Sequence, residues 1–241
     1  MNRRSFIDLL NKGFSLGLLL KLMPVGMLEF VRAQSSATSF QRALLVDKAG
    51  NPFKLSTLKP HEPFVFAYPY AATPNILVNV DTELPPVDVK MPDGRDYRWP
   101  GGVGPRRSVV AYTSICPHGY SYAAPNLGAM GYYKPEGNRG PRMVCCAHLS
   151  SFDVSRGGEV KGGPAPHALA AVALEYDAAK DEAYAVGFLG NPRFDEFFRA
   201  QQQSLRDLFR TTARAREEVT KATVIPYAEH TRVPTSCPVV G

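Results

Sequence analysis

The chain has 241 residues, 44% of them hydrophobic, which is enough for one well-buried main domain with appendages. Lys and Arg number 28 against 22 Asp and Glu, a net charge of +6. This excess is spread along the chain without basic runs or interleaved aromatics, which argues against a nucleic-acid partner. Of four cysteines, Cys116, Cys145, Cys146 and Cys237, two are adjacent. That excludes a disulfide framework and leaves cysteine as a candidate ligand.

The N-terminal residues 1–34 read as an address. Arg3-Arg4 followed by Phe6, then an apolar stretch from Phe14 to Val31 and a Ser-rich run, have the form of a twin-arginine export signal. That route carries folded proteins, as a cofactor inserted before export requires. A membrane-spanning helix needs about 20 predominantly apolar residues, and Lys21, Pro24 and Glu29 interrupt this one. A retained anchor and a signal cut after Ala33 both fit, with a slight preference for the anchor. The expected location is the periplasmic side of a bacterial inner membrane.

From residue 35 to 190 short apolar runs alternate with Pro and Gly. They are Ala43–Val46, Phe64–Tyr68, Ile76–Val80, Ser108–Tyr112, Met143–Val144, Ala171–Leu174 and Ala183–Val186. Runs mostly of four to five residues between turn residues predict an antiparallel all-β domain. The stretch Leu84–Pro105, rich in Pro, Gly and charge, reads as a surface loop that Trp99 packs down. Residues 191–241 differ in character. Asn191 with Pro192 can start a helix, and Phe194, Phe197, Phe198, Leu205, Leu208 and Phe209 fall on one face, predicting one amphipathic helix to about Lys221. Its Phe-rich stripe suits either a partner or the chain's own β-domain. The tail, with Pro226, Pro234 and Pro238, reads as extended.

Two segments carry chemistry: Cys116-Pro117-His118-Gly119 and Cys145-Cys146-Ala147-His148, each offering a thiolate and an imidazole in one tight turn. Together they make a four-ligand site. A closed zinc tetrahedron accepts two cysteines and two histidines, but zinc fingers pair Cys with Cys and His with His locally. Here each turn supplies one of each, as a cluster spanned by two opposed loops needs.

These turns resemble the two cluster-binding loops of the Rieske iron–sulfur family. The likeness extends to the strand Val109–Cys116, to Phe152-Asp153, to Gly157–Val160, and to the proline loop Gly162–Leu169 containing Pro164; in all it covers roughly residues 105 to 188. It implies a β-sandwich of stacked antiparallel sheets with one [2Fe-2S] cluster near one tip. It further implies that Cys116 and Cys145 ligate the inner iron, and that His118 and His148 ligate the outer iron and reach solvent as the groups that exchange electrons with a partner. Cys145 rather than Cys146 follows from the family's C-x2-H spacing. Ser150 matches a serine that bonds a bridging sulfide. Phe152 stands where the family usually has a tyrosine that bonds a ligand sulfur, so a donor is missing. Ser121 and Ala147 stand where quinol-oxidising members carry a clamping disulfide, and the stretch Gly119–Val144 is longer than usual. Cys146 and Cys237 have no assigned role, though they could pair.

The resemblance implies one-electron transfer. The first expectation is the iron–sulfur subunit of a quinol-oxidising complex, partnered by a cytochrome b-type subunit and a c-type cytochrome. The alternative is the small subunit of a periplasmic molybdenum oxidase of arsenite-oxidase type, partnered by the molybdenum-bearing large subunit. A Rieske ferredoxin serving an oxygenase does not fit the export signal, and a structural zinc module is the non-redox outsider.

Overall fold

The computed structural model describes residues 37–232. The export segment and Cys237 lie outside the described residues. The first strands, β1 (Thr38–Val46), β2 (Phe64–Ala67), β3 (Pro74–Asn79), β4 (Val87–Val89), β5 (Tyr97–Trp99) and β6 (Val109–Thr113), are followed by β7 (Met130–Tyr133), β8 (Arg142–Cys145), β9 (Ser150–Asp153) and β10 (Glu159–Gly162). Then come β11 (Ala171–Asp177) and β12 (Glu182–Leu189), three short helices, and β13 (Lys221–Thr223) and β14 (Ile225–Pro226).

An eight-stranded sheet runs β13-β1-β12-β11-β6-β3-β2-β14, and a four-stranded sheet runs β10-β9-β8-β7. Central strands β3 and β6 are buried at every residue, which is why they read as continuous apolar runs. Alternation sends Leu77, Val109 and Ala111 to one core and Ile76, Val78, Val110 and Tyr112 to another. The first core is lined by the C-terminal helices through Phe194, Phe197, Phe198 and Leu205. The second holds Met130, Met143, Cys145 and Phe152 of the small sheet, so this sheet stacks on the large one as a sandwich implies.

Most pairings are antiparallel, as expected, but β13 joins β1 in parallel. One residue later β14 joins β2 at the opposite edge, and the intervening Val224 N–H donates to the Val46 carbonyl at 2.8 Å. The segment 221–226 therefore ties both edges of the large sheet together and gives it a barrel-like form, hiding edges that would otherwise be open.

Some sequence expectations need correcting. The expected single helix is three: α1 (Phe194–Ala200), α2 (Gln202–Phe209) and α3 (Thr212–Ala215). Asn191 does not cap it; Arg193, at φ 49°, precedes α1 without a side-chain cap. Arg210 at φ 67° ends α2, and Thr211 caps α3 by accepting from the Arg214 N–H. A threonine hydroxyl that bonds the next turn's amide favours a new start over continuation. The stretch Leu84–Pro105 is not only loop: it contains the β4–β5 hairpin. Trp99 is buried in it, 6.3 Å from the Tyr112 ring.

A further short helix, α4 (Tyr227–His230), follows β14, so the tail around Pro226 is extended only as far as that proline. Among the described residues no helix is long and apolar enough to cross a membrane.

Candidate metal centre

The end of β6 delivers Cys116 into a tight loop. Ile115 bridges Tyr122, the Cys116 N–H donates to the Ser121 carbonyl at 2.8 Å, and the Tyr120 N–H donates back to the Cys116 carbonyl at 2.9 Å. The second loop is the β8–β9 turn, closed by the Cys145–Ser150 pair and by the Leu149 N–H on the Cys145 carbonyl at 2.8 Å. Tyr120 at φ 57° and Leu149 at φ 62° make the reversals, a left-handed conformation that side chains seldom adopt.

These turns bring the four expected ligands together in two pairs. The thiols of Cys116 and Cys145 are buried and hydrogen-bonded to each other. The amides of His118 and Gly119 point at the Cys116 sulfur, and those of Ala147 and His148 at the Cys145 sulfur. Donating its proton to Cys145, together with burial, pushes the Cys116 thiol up. Accepting that bond and two amides draws Cys145 down to about 7. Each loop thus forms an amide cradle for an anionic sulfur, the ligating form of cysteine. The imidazoles of His118 and His148 are exposed, their centroids 4.8 Å apart and their planes at 85°.

Among the described residues no three His, Cys, Asp or Glu side chains are arranged to hold one metal ion. An inner thiol pair beside an outer imidazole pair is the partition that a two-iron centre uses. Ser150 supports the same fit: its hydroxyl is buried and has no partner among the described residues, so a sulfide acceptor would satisfy a group that is otherwise costly to bury. Phe152 is buried in the second core, across from Met143. Pro164 is exposed, following Gly163 at φ 80°, where a Cβ would stand 2.5 Å from the Ser150 Cα. Only glycine lets this loop lie against the second ligand loop.

Cys146 is disulfide-bonded while Cys116 and Cys145 carry free thiols, consistent with Cys145 as the ligand. The suggested pairing with Cys237 falls outside the described residues. The long stretch Gly119–Val144 contains β7, and its Ala129 carbonyl accepts the Cys146 N–H at 2.8 Å. The cradle amides and the contacts of Gln201, Tyr122 and His230 with the first loop had no sequence signal, since backbone donors and long-range neighbours leave no local pattern.

His230 bonds the Ala123 carbonyl at 2.8 Å, and burial holds its pKa below 6.5. The unfolded chain therefore binds the proton first, so stability present above about pH 6.5 should fall as the solution is acidified through the lower folded value. Urea titrations at pH 7 and pH 5 check this, and His230→Gln, which keeps a donor, should lose part of the pH dependence.

Fold, ligand set and orphaned hydroxyl together fit a Rieske-type electron-transfer protein, and the curated proteins that the chain resembles support a Rieske iron–sulfur family. No family model matches it. It is 37% identical over 140 residues to "Iodate reductase subunit IdrB" of Denitromonas iodatirespirans, covering 57% of this chain and 60% of that one. It is 34% identical over 139 residues to the protein of the same name from Pseudomonas sp. (strain SCT), covering 56% and 58%. The matched region thus spans about three fifths of these relatives. The soluble domain of the Rieske protein II (soxF) from Sulfolobus acidocaldarius aligns with TM-score 0.44 and 24% identity over 62% of this chain and 78% of that one.

Proposed function

We propose that this chain is the small electron-transfer subunit of a periplasmic oxidoreductase complex whose large subunit carries molybdenum and turns over an oxyanion. The observation that carries the reading is the likeness to two proteins named as iodate reductase subunits. The sequence resemblance to small subunits of arsenite-oxidase type points the same way, as does the lack of cysteines at Ser121 and Ala147. These favour it over the quinol-oxidising complex with cytochrome b-type and c-type partners that the sequence put first.

When bound, a [2Fe-2S] cluster would supply reversible one-electron transfer. Cys116 and Cys145 would hold its inner iron in a dry setting, where the four cradle amides offset the sulfur charge. His118 and His148 would hold the outer iron and present their rings to an approaching partner. Ser150 would donate to a sulfide, and Phe152 offers packing without a donor.

Purification of the tagged chain from its host, followed by metal analysis and mass spectrometry, tests the assignment. A stoichiometric large subunit with molybdenum is expected; a cytochrome b and a c-type cytochrome in its place would refute it. Changing Arg3 and Arg4 both to Lys should retain the protein in the cytoplasm with its cluster, and normal export of that variant would remove the twin-arginine assignment.

A further inference from the structure

Nothing covalent can join the two ligand loops at Ser121 and Ala147, yet the first loop is held firmly from behind. Gln201, between α1 and α2, donates from Nε2 to the Tyr120 carbonyl at 3.1 Å. The Arg193 guanidinium stands 5.9 Å from the centre of the Tyr120 ring. The Tyr122 hydroxyl pairs with Ser204 Oγ at 3.1 Å, and its ring meets Phe197 edge-on at 5.1 Å. His230 bonds the Ala123 carbonyl at 2.8 Å. All of these contacts land on residues 120–123, the limb by which the chain leaves the loop bearing Cys116 and His118.

Movement there reaches the ligands directly. Tyr120 donates to the Cys116 carbonyl and Ser121 accepts from the Cys116 amide. Tyr120 also sits in the left-handed region, a strained conformation for a non-glycine residue that persists only where neighbours enforce it.

We propose that the C-terminal segment Arg193–His230 is the clamp of the first ligand loop, with Gln201 and Tyr122 as positioning residues that set Cys116 and His118 through Tyr120. This rests on the cluster reading above.

Full-length Gln201→Ala, Tyr122→Phe and their double variant are compared with the parent and with Gln203→Ala, whose exposed side chain on α2 bonds only Asp207 among the described residues. The readouts are the EPR spectrum of the reduced protein and the rate of iron loss to a chelator. Gln201→Ala and Tyr122→Phe should each shift or broaden the g-values and lose iron about three- to tenfold faster, the scale of one hydrogen bond behind a ligand. The double variant should exceed both, and Gln203→Ala should match the parent. Should Gln201→Ala fail to fold, Tyr122→Phe, which removes one hydroxyl, decides. Parental spectra and loss rates in both single variants would overturn the clamp and leave the cluster standing. Equal effects in Gln203→Ala would also overturn it, since they would report general loosening. A parent protein without a Rieske signal overturns the cluster reading, and the clamp with it.

Discussion

Cys145→Ser should yield a protein that retains no cluster, and Cys116→Ser the same. Both sulfurs are buried, face each other, and take two amide donors apiece, so each position is shaped for a large, soft, anionic atom. A serine oxygen is smaller, far less acidic, and a poor ligand for iron–sulfur centres, which are held by thiolates. His148→Ala should also abolish the centre, because no neighbouring described histidine stands ready to replace it. Cys146→Ser should keep it, since Cys146 is committed to a disulfide and sits outside the thiol pair. The check is iron and acid-labile sulfide in a ratio of about one to one, with the low average g-value that mixed His/Cys ligation gives on reduction. Stoichiometric zinc in the parent, with no such signal, would refute the assignment. Because metal-site binding energy adds to folding energy, the cluster-free variants should also melt at a lower temperature than the parent.

The ligands were legible because their chemistry is local: Cys116 with His118, and Cys145 with His148, each lie in one turn, so spacing alone pairs thiolate with imidazole. The apolar runs of β3 and β6 were legible because burial on both faces writes a continuous signal, and that of β12 because buried residues alternate along it. Strand β9 left no strand signal because it is short and mixed, Ser150-Ser151-Phe152-Asp153, and only its partners β8 and β10 make it a strand. Strands β13 and β14 exist because residues 221–226 lie across both edges of the large sheet, a long-range fact with no pattern in three-residue segments. The stripe from Phe194 to Phe209 predicted the buried face for Phe194, Phe197, Phe198 and Leu205, whereas Leu208 is exposed and Phe209 only partly buried. It could not show the break at Gln201, because the apolar period continues across it. The break at Gln201 matters to the site, for it puts that side chain over the first ligand loop.

Ser150→Ala should change the cluster-free and cluster-bearing forms in opposite directions. In the protein alone the Ser150 hydroxyl is buried without a partner among the described residues, and an unsatisfied buried polar group costs about 1–3 kcal/mol. Its removal should therefore leave the cluster-free protein as stable or more so. In the loaded protein the same hydroxyl is placed, by the Cys145–Ser150 pairing that closes the second loop, to donate to a sulfide. That bond favours the reduced, more negative state, so losing it should lower the potential. A hydrogen bond to a charged acceptor is worth about 1.5–3 kcal/mol, and a one-electron couple moves about 59 mV per tenfold change, so the drop should be roughly 60 to 130 mV. Phe152→Tyr should move it the other way by restoring a donor, although the new hydroxyl must fit a fully buried ring position. With one donor present and one missing, the parent should lie between the Rieske limits of about −150 and +300 mV. Redox titration of the three proteins beside denaturation of the cluster-free forms measures both effects. An unchanged potential in Ser150→Ala would show that the second loop does not lie around the cluster as described.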